Sequence, residues 1–160
     1  MTEVLRPGLL AGVRVTVAGT GAAGGAVAAR AASLGAQVAP EGDIDVLVWD
    51  GAGTSGRAAL DGAWSVIQPA VAGPLAGGGL IVLVAPPPGD AHAEAARAGL
   101  ENMARTLSIE WARLGIRPVA VLPGAAGDVA ELVAFLASPA GAYYSGCLFD
   151  LGAVNVNPRM

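Results

Sequence analysis

Short apolar runs bounded by glycine, proline or charged residues recur along the chain and predict buried β-strands. The first is a β-branched run between Gly12 and Gly19. Most of the runs are continuously apolar rather than alternating, which is typical of strands in a parallel sheet that is covered on both faces. Strands are therefore expected over residues 13–18, 36–39, 45–49, 80–85, 117–122 and 146–151.

The segments between these runs predict helices, expected over residues 24–34, 57–75, 91–114 and 128–138. The first helix should end at Gly35, and the third should be capped by Asp90 and end at Gly115. Pro69 and Pro74 should bend or end the second helix. Strands that alternate with crossover helices predict an α/β fold, with a doubly wound, mainly parallel, six-stranded Rossmann-like sheet in a single domain over residues 1–160.

Composition and charge exclude several kinds of partner. The chain has 160 residues, a formal net charge of −4 and nine scattered basic residues, so a nucleic-acid partner is not expected. The single Cys147 has no second cysteine for a disulfide or a metal site, and it is expected to be a buried thiol in a reducing compartment. The amino terminus lacks a clean signal-peptide core, and no run approaches the ~18 apolar residues of a membrane span. We therefore expect a cytoplasmic protein without a membrane partner.

A glycine-rich loop links the first strand to the first helix. Its sequence, GTGAAG, fits the G-x-G-x-x-G pattern that follows a strand and opens a helix in dinucleotide-binding folds. In that pattern the first glycine allows a tight turn, the second lets the backbone approach a pyrophosphate, and the third lets helix and strand pack closely. The candidate cofactor-binding residues of the loop are Gly19, Thr20, Gly21, Ala22 and Gly24. A glycine turn kept for packing, without a ligand, is the alternative.

Acidic residues further along the chain complete the candidate site. A dinucleotide-binding fold places an acid about 20 residues after the loop, on the ribose hydroxyls; Glu41 is the nearest candidate and Asp43 the second. A solvated turn carboxylate is the alternative for Glu41. Asp50 and Gly51 follow the third strand, where the topology directs residues towards a ligand crevice, although Asp50 is equally well explained as a loop cap. The expected cofactor is NAD or NADP, bound weakly if at all.

The order of these segments resembles that of the short-chain dehydrogenase/reductase family. Residues 21–38 (GAAGGAVAARAASLGAQV) are similar to the family's first helix and second strand, and residues 97–124 are similar to its active-site helix and following strand. Residues 129–152 are similar to its last helix and strand. The segment DVLVWDGAG is similar to the family's D-V-L-V-N-N-A-G, with Trp49 and Asp50 in place of the two asparagines.

The chain departs from this family in length and in chemistry. The second crossover helix, the third strand and the substrate lid of the family have no counterpart, which implies an open ligand cleft and weak binding. The resemblance places Ala93 and Arg97 where the family has its catalytic tyrosine and lysine, and the chain contains no lysine. A proline run at 86–88 stands at the position of the catalytic serine. No catalytic residue is therefore predicted, although His92 is weighed as a substitute proton donor against an exposed first-turn histidine.

These observations predict a shortened, catalytically degenerate relative of the family that lacks hydride-transfer activity and serves as an oligomeric or partner subunit. The alternatives are an active NAD(P)-dependent oxidoreductase, which uses non-standard residues or is completed by a partner chain, and a nucleotide-binding sensor. We also expect that Gly21→Asp abolishes any dinucleotide binding and leaves the fold intact.

A homo-oligomer, dimer or tetramer, is expected, or else a heteromer with an active relative. With 22 charged residues on a surface of about 7,200 Å², large areas must be uncharged. The resemblance implies that the helices predicted over 57–75 and 91–114 pack against the same pair of another subunit. They carry more apolar residues than one sheet-facing stripe needs, namely Trp64, Val66, Ile67, Val71 and Ile109. The alternative is that these residues all face the sheet of a monomer.

Overall fold

Six parallel strands form the centre of the protein, which is described here from a computed structural model covering residues 5–89 and 92–152. The strands are β1 (Arg14–Gly19), β2 (Gln37–Val38), β3 (Val46–Asp50), β4 (Gly79–Val84), β5 (Ile116–Leu122) and β6 (Leu148–Asp150). Their spatial order is β2-β1-β3-β4-β5-β6, and every neighbouring pair is parallel. The predicted six-stranded, doubly wound sheet is thereby confirmed, and all carboxyl ends of its strands meet at one edge.

Two pairs of helices cover the sheet: α1 (Ala22–Ser33), α2 (Arg57–Ala72), α3 (Ala93–Glu110) and α4 (Ala126–Ala137). Alternate side chains of each central strand enter opposite cores, as the pleat requires. Val46 and Val48 of β3 join the core beneath α1 and α4, whereas Leu47 and Trp49 join the core beneath α2 and α3. Both faces of the sheet are therefore apolar, which explains the continuous apolar runs in the sequence.

The ends of the helices differ from the predictions in two places. Gly35 and Gly115 both have left-handed backbone, as expected of helix stops, but α3 itself ends at Glu110 and a 3-10 turn intervenes before Gly115. Asp90 lies outside the described residues, and His92 precedes α3. Pro69 lies inside α2 without ending it; it is exposed, whereas Ile67 and Ala70 pack in the core.

The connection between β2 and β3 is a bare crossover of residues 39–45. The crossover connects β2 to β3, and β1 lies between these two strands in the sheet. The crossover must therefore pass over β1, and it does so without the helix that such connections usually contain. Thr16 Oγ1 in β1 donates a hydrogen bond to the carbonyl oxygen of Ala39 at 2.6 Å. The absent helix leaves an open groove of about 280 Å³ between the crossover, β1 and α2, lined by Thr16, Ala18 and Pro69 among others.

An ion pair anchors the far end of this crossover. The Arg14 guanidinium donates to both carboxylate oxygens of Asp45, at 2.9 and 2.8 Å, and the Arg14 backbone N–H donates to Asp45 Oδ2 at 2.8 Å. The hydrogen bonds from Arg14 hold the pKa of Asp45 below its usual range. Arg14 also pairs with Asp43 at 3.2 Å. β1 and β3 are therefore joined at the amino edge of the sheet by charge as well as by the backbone ladder.

Three further expectations concern Cys147, the lid segment and a membrane-spanning helix. Cys147 is half-buried rather than buried, because it lies beside the short edge strand β6, and its thiol donates weakly to the Ser145 carbonyl oxygen at 3.5 Å. Only residues 123–125 separate β5 from α4, so no lid segment occurs at this point. Among the described residues, no helix has the length and apolar character needed to cross a membrane.

Candidate functional site

The glycine loop lies where β1 reaches the carboxyl edge of the sheet. Gly19 is the last residue of β1, and α1 begins at Ala22, two residues earlier than predicted. Gly21 is the N-cap of α1, with extended backbone and no side-chain cap of its own. The loop therefore has the strand-to-helix geometry in which a helix N-terminus can face an anion.

Asp50, at the end of β3, supplies the cap that the loop lacks. Its side chain is 1% exposed. Oδ2 accepts a hydrogen bond from the backbone N–H of Gly24 in the first turn of α1, at 2.6 Å, and Oδ1 accepts one from the N–H of Ala52, at 3.1 Å. Asp50 thus caps both α1 and the 3-10 turn Gly51–Gly53 that follows β3. Of the two interpretations of Asp50, the structure supports the loop cap.

Internal contacts account for all three glycines of the loop. Gly19 pairs with Asp50 in the β1–β3 ladder, and a Cβ on Gly19 would overlap the Asp50 backbone. A Cβ on Gly21 would overlap the Asp50 carboxylate, and one on Gly24 would lie 2.9 Å from Cγ1 of Val17. Because a side chain at Gly21 would overlap the Asp50 carboxylate, we now expect Gly21→Asp to destabilise the fold as well as to affect ligand binding.

The remaining candidates of the loop gather at the same edge. Gly51 is buried, and a Cβ there would overlap the Trp49 ring. Thr20 and Ala22 are exposed, and the Thr20 hydroxyl lies against Gly53. The predicted residues Gly19, Thr20, Gly21, Ala22, Gly24, Asp50 and Gly51 are therefore brought together around the carboxyl ends of β1 and β3.

Glu41 is not brought to this group. It lines a shallow cavity of about 160 Å³ with Arg14, Thr16 and Gln37, beside the first half of β1, whereas the glycine loop follows the end of β1. The bare crossover explains this position, because it turns back towards the amino edge immediately after β2. Asp43, the second candidate, pairs with Arg14 at the amino edge.

The start of α3 also lies at the carboxyl edge, after β4. Ala93 is buried. The side chain of Arg97 is 11% exposed, its Nη1 donates to the carbonyl oxygen of Pro86 at 3.2 Å, and its Nε lies 3.5 Å from the Glu94 carboxylate. The Arg97 cation is therefore used to fix the proline run to α3, a contact that the sequence did not predict.

His92, the only imidazole, is exposed and has left-handed backbone, with φ 65°. Its side chain lies over Gly56, which precedes α2. Neither tyrosine lies near the start of α3. Tyr144 packs edge-on against Phe135 and Phe149, on the face of the sheet opposite α3, and Tyr143 is 93% exposed beside it.

An all-parallel, doubly wound sheet with a glycine loop after β1 defines an α/β protein of the Rossmann-like class, in which ligands bind at the carboxyl edge. No protein-family model matches the chain. A search of curated proteins also found no match. Solved structures of dehydrogenases and reductases do match.

The chain is similar to a citronellol catabolism dehydrogenase from Pseudomonas aeruginosa PAO1, with 23% identity, a TM-score of 0.74 and coverage of 92% of this chain and 96% of the other. A short chain dehydrogenase from Mycobacterium smegmatis shares 23% identity, with a TM-score of 0.69 and coverage of 96% and 97%. An angucycline C-6 ketoreductase with bound NADP shares 18% identity, with a TM-score of 0.71 and coverage of 91% and 96%. The chain therefore has the fold of the short-chain dehydrogenases/reductases, and the resemblance seen in the sequence is confirmed at the level of the fold.

Proposed function

We propose that this chain is a catalytically degenerate short-chain dehydrogenase/reductase-like protein, without hydride-transfer activity, that serves as a subunit of an oligomer. The start of α3 carries the proposal. By the resemblance, a tyrosine and a lysine are expected there, and the chain has the buried methyl group of Ala93 and an arginine whose guanidinium is held by the Pro86 carbonyl.

Carbonyl reduction needs a group that gives a proton to the oxygen as the hydride arrives. Ala93 has no such proton, and an arginine side chain stays protonated throughout the physiological range. The residues at the carboxyl edge also fit a dinucleotide poorly, because a buried carboxylate lies under the glycine loop and Glu41 lies elsewhere. NADP, which one neighbour of similar fold has bound, and NAD are therefore at most weak ligands of this chain.

A direct assay tests the absence of hydride transfer. The purified chain is mixed with NADH or NADPH and a broad panel of ketones, and oxidation of the cofactor is followed by absorbance. We expect no rate above the protein-free blank. A reproducible rate overturns the proposal. If that rate survives Arg57→Gln, an exposed change on α2, and is lost on His92→Gln, the protein is instead an oxidoreductase that uses His92.

The proposed oligomer rests on apolar residues exposed on the face formed by α2 and α3. Trp64 is 46% exposed and Ile109 is 79% exposed. The Trp64 ring stacks on Trp111, with ring centroids 6.5 Å apart and planes 17° apart. Ile67 was predicted to belong to this surplus, but it is fully buried against the sheet. We propose that a second copy covers this face about a two-fold axis.

Light scattering at micromolar concentration tests the oligomer. We expect a mass that is a multiple of 15.6 kDa and that falls to the monomer in Trp64→Glu and Ile109→Glu. Val38→Glu is the matched control, because Val38 is an exposed apolar residue of β2, at the sheet edge, and should leave the mass unchanged. A wild-type mass of 15.6 kDa at every concentration contradicts the homo-oligomer and leaves the heteromer with an active relative as the remaining form.

A further inference from the structure

A carboxylate from β3 lies against the glycine loop. Asp50 is buried directly behind the loop, and both of its oxygens accept hydrogen bonds from backbone N–H groups, as an ionised carboxylate does. Within residues 5–89 and 92–152, no cation forms an ion pair with Asp50. Its charge is therefore stabilised by the two N–H groups and by the N-terminus of α1.

A helix N-terminus that already holds one buried anion is a poor site for another. The Gly24 N–H is used by Asp50, and the room next to Gly21 is filled by the same carboxylate. A pyrophosphate on the outer side of the loop would lie close to a negative charge that water screens little, because Asp50 is buried. The glycine loop therefore has the backbone geometry of an anion-binding site, but the Asp50 carboxylate already places a negative charge there.

We propose that Asp50 is a specificity-determining residue that excludes ligands carrying a phosphate or pyrophosphate from the glycine loop. The proposal rests on the proposed function, which it deepens, since it gives a physical cause for weak cofactor binding that is independent of the catalytic residues at α3. The loop then has a structural role, in which the Asp50 carboxylate joins α1 to β3. The chain is degenerate in its cofactor-binding site as well as in its catalytic residues.

Titration calorimetry with NAD, NADP, inorganic pyrophosphate and uncharged adenosine tests the proposal on the full chain. The informative variant is Asp50→Asn, whose amide oxygen can still accept from Gly24 while the charge is removed. The matched control is Asp128→Asn, which removes one charge from the exposed first turn of α4 at the same edge. We expect the affinity of Asp50→Asn for the phosphate ligands to rise about tenfold or more over wild type, with no rise in Asp128→Asn and none for adenosine.

Several results would overturn the proposal. One is micromolar binding of NAD, NADP or pyrophosphate by the wild-type chain, a measurement that needs no variant. Another is a folded Asp50→Asn protein that binds the phosphate ligands no better than wild type, or that gains equally for adenosine. If Asp50→Asn does not fold, Asp50→Ser, which keeps an oxygen without the charge, takes its place under the same criteria. The outcome is separable from the proposed function. An Asp50→Asn protein that binds the phosphate ligands no better than wild type contradicts only the exclusion by Asp50, whereas tighter binding by Asp50→Asn together with cofactor oxidation by that variant contradicts only the absence of hydride transfer.

Discussion

The glycine loop and the start of α3 lie at the same edge of the sheet, and they have different relations to the family that the chain resembles. The loop keeps the glycine pattern, and each glycine is required by an internal contact with Asp50 or Val17. The start of α3 has Ala93 and Arg97 where the resemblance places a tyrosine and a lysine. Because packing alone explains the three glycines, the glycine pattern is weak evidence for a cofactor.

The residues at the start of α3 make packing and hydrogen-bond contacts of their own. Ala93 is packed in the core, and Arg97 binds the proline run that follows β4. Restoring the family's residues would therefore disturb contacts that now exist. Three variants of the loop and of α3 test this difference, and a fourth at the amino edge gives a reference; each effect is expressed as a change in the free energy of unfolding.

The largest effect is expected for Gly21→Ala. Its methyl group would overlap the Asp50 carboxylate, and forcing an atom into such a site should cost about 3 kcal/mol. The matched control is Gly25→Ala in the same helix, because a Cβ there meets nothing within 4 Å and alanine favours helix. Urea unfolding of both variants gives the comparison. Equal stability of the two variants would show that Asp50 does not constrain the loop.

A double-mutant cycle sharpens the role of Asp50. Asp50→Ala alone should destabilise the protein, because the N–H groups of Gly24 and Ala52 lose their acceptor. It also removes the group that the alanine at position 21 would strike. The loss in the double variant should therefore be smaller than the sum of the single losses by about 2 kcal/mol. Additive losses would contradict a direct contact between Gly21 and Asp50.

Ala93→Tyr tests whether the start of α3 has been filled. Ala93 is 1% exposed, so a tyrosine there should cost about 1–2 kcal/mol and give no hydride transfer, even together with Arg97→Lys. Ala95→Tyr, on the exposed side of the same helix, should be close to neutral. Thermal unfolding of both variants is the measurement. A neutral Ala93→Tyr would mean that the room for the family's tyrosine is still present.

The smallest effect is expected at the other end of β3, where Asp45 pairs with Arg14 at the exposed amino edge. Asp45→Asn should cost about 0.5 kcal/mol at neutral pH, because solvent screens a pair that is about 40% exposed on each side. The pKa of Asp45 is lowered in the fold, so its contribution is complete above the ordinary pKa of aspartate, about 4, and is lost as the pH falls through the lowered value. Unfolding at pH 7 and at pH 2 should show the difference between wild type and variant shrink in acid.

The sequence was most informative for elements whose signal is local. All six strands and four helices occur where short apolar runs, helical periodicity and glycine stops predicted them, with shifts of a few residues at their ends. The positions of Gly35 and Gly115 were predictable because a left-handed stop depends on the residue itself. Ile67 was wrongly assigned to the exposed surplus, since whether a helical residue faces solvent or the core depends on how the helix sits on the sheet.

The candidate site could be predicted only in part. The glycine loop was found because a strand, three glycines and a helix are adjacent in the chain. Asp50 was selected for its position at the end of a strand, but its role was left open. The signal that would have decided it is the pairing of β1 with β3, which sets Asp50 opposite Gly19. Glu41 was placed by counting residues, and counting does not show that a crossover without a helix turns back towards the amino edge.

By itself, then, the sequence determined the order of elements, the parallel sheet and the absence of a tyrosine and a lysine from α3, because each depends on residue types within one segment. Only the tertiary structure decided what the glycines are for. Gly21 and Asp50 are far apart in the chain, and their contact exists only once β3 lies beside β1. The buried carboxylate of Asp50 explains why position 21 has no side chain, and this relation is visible in the folded structure but not along the sequence.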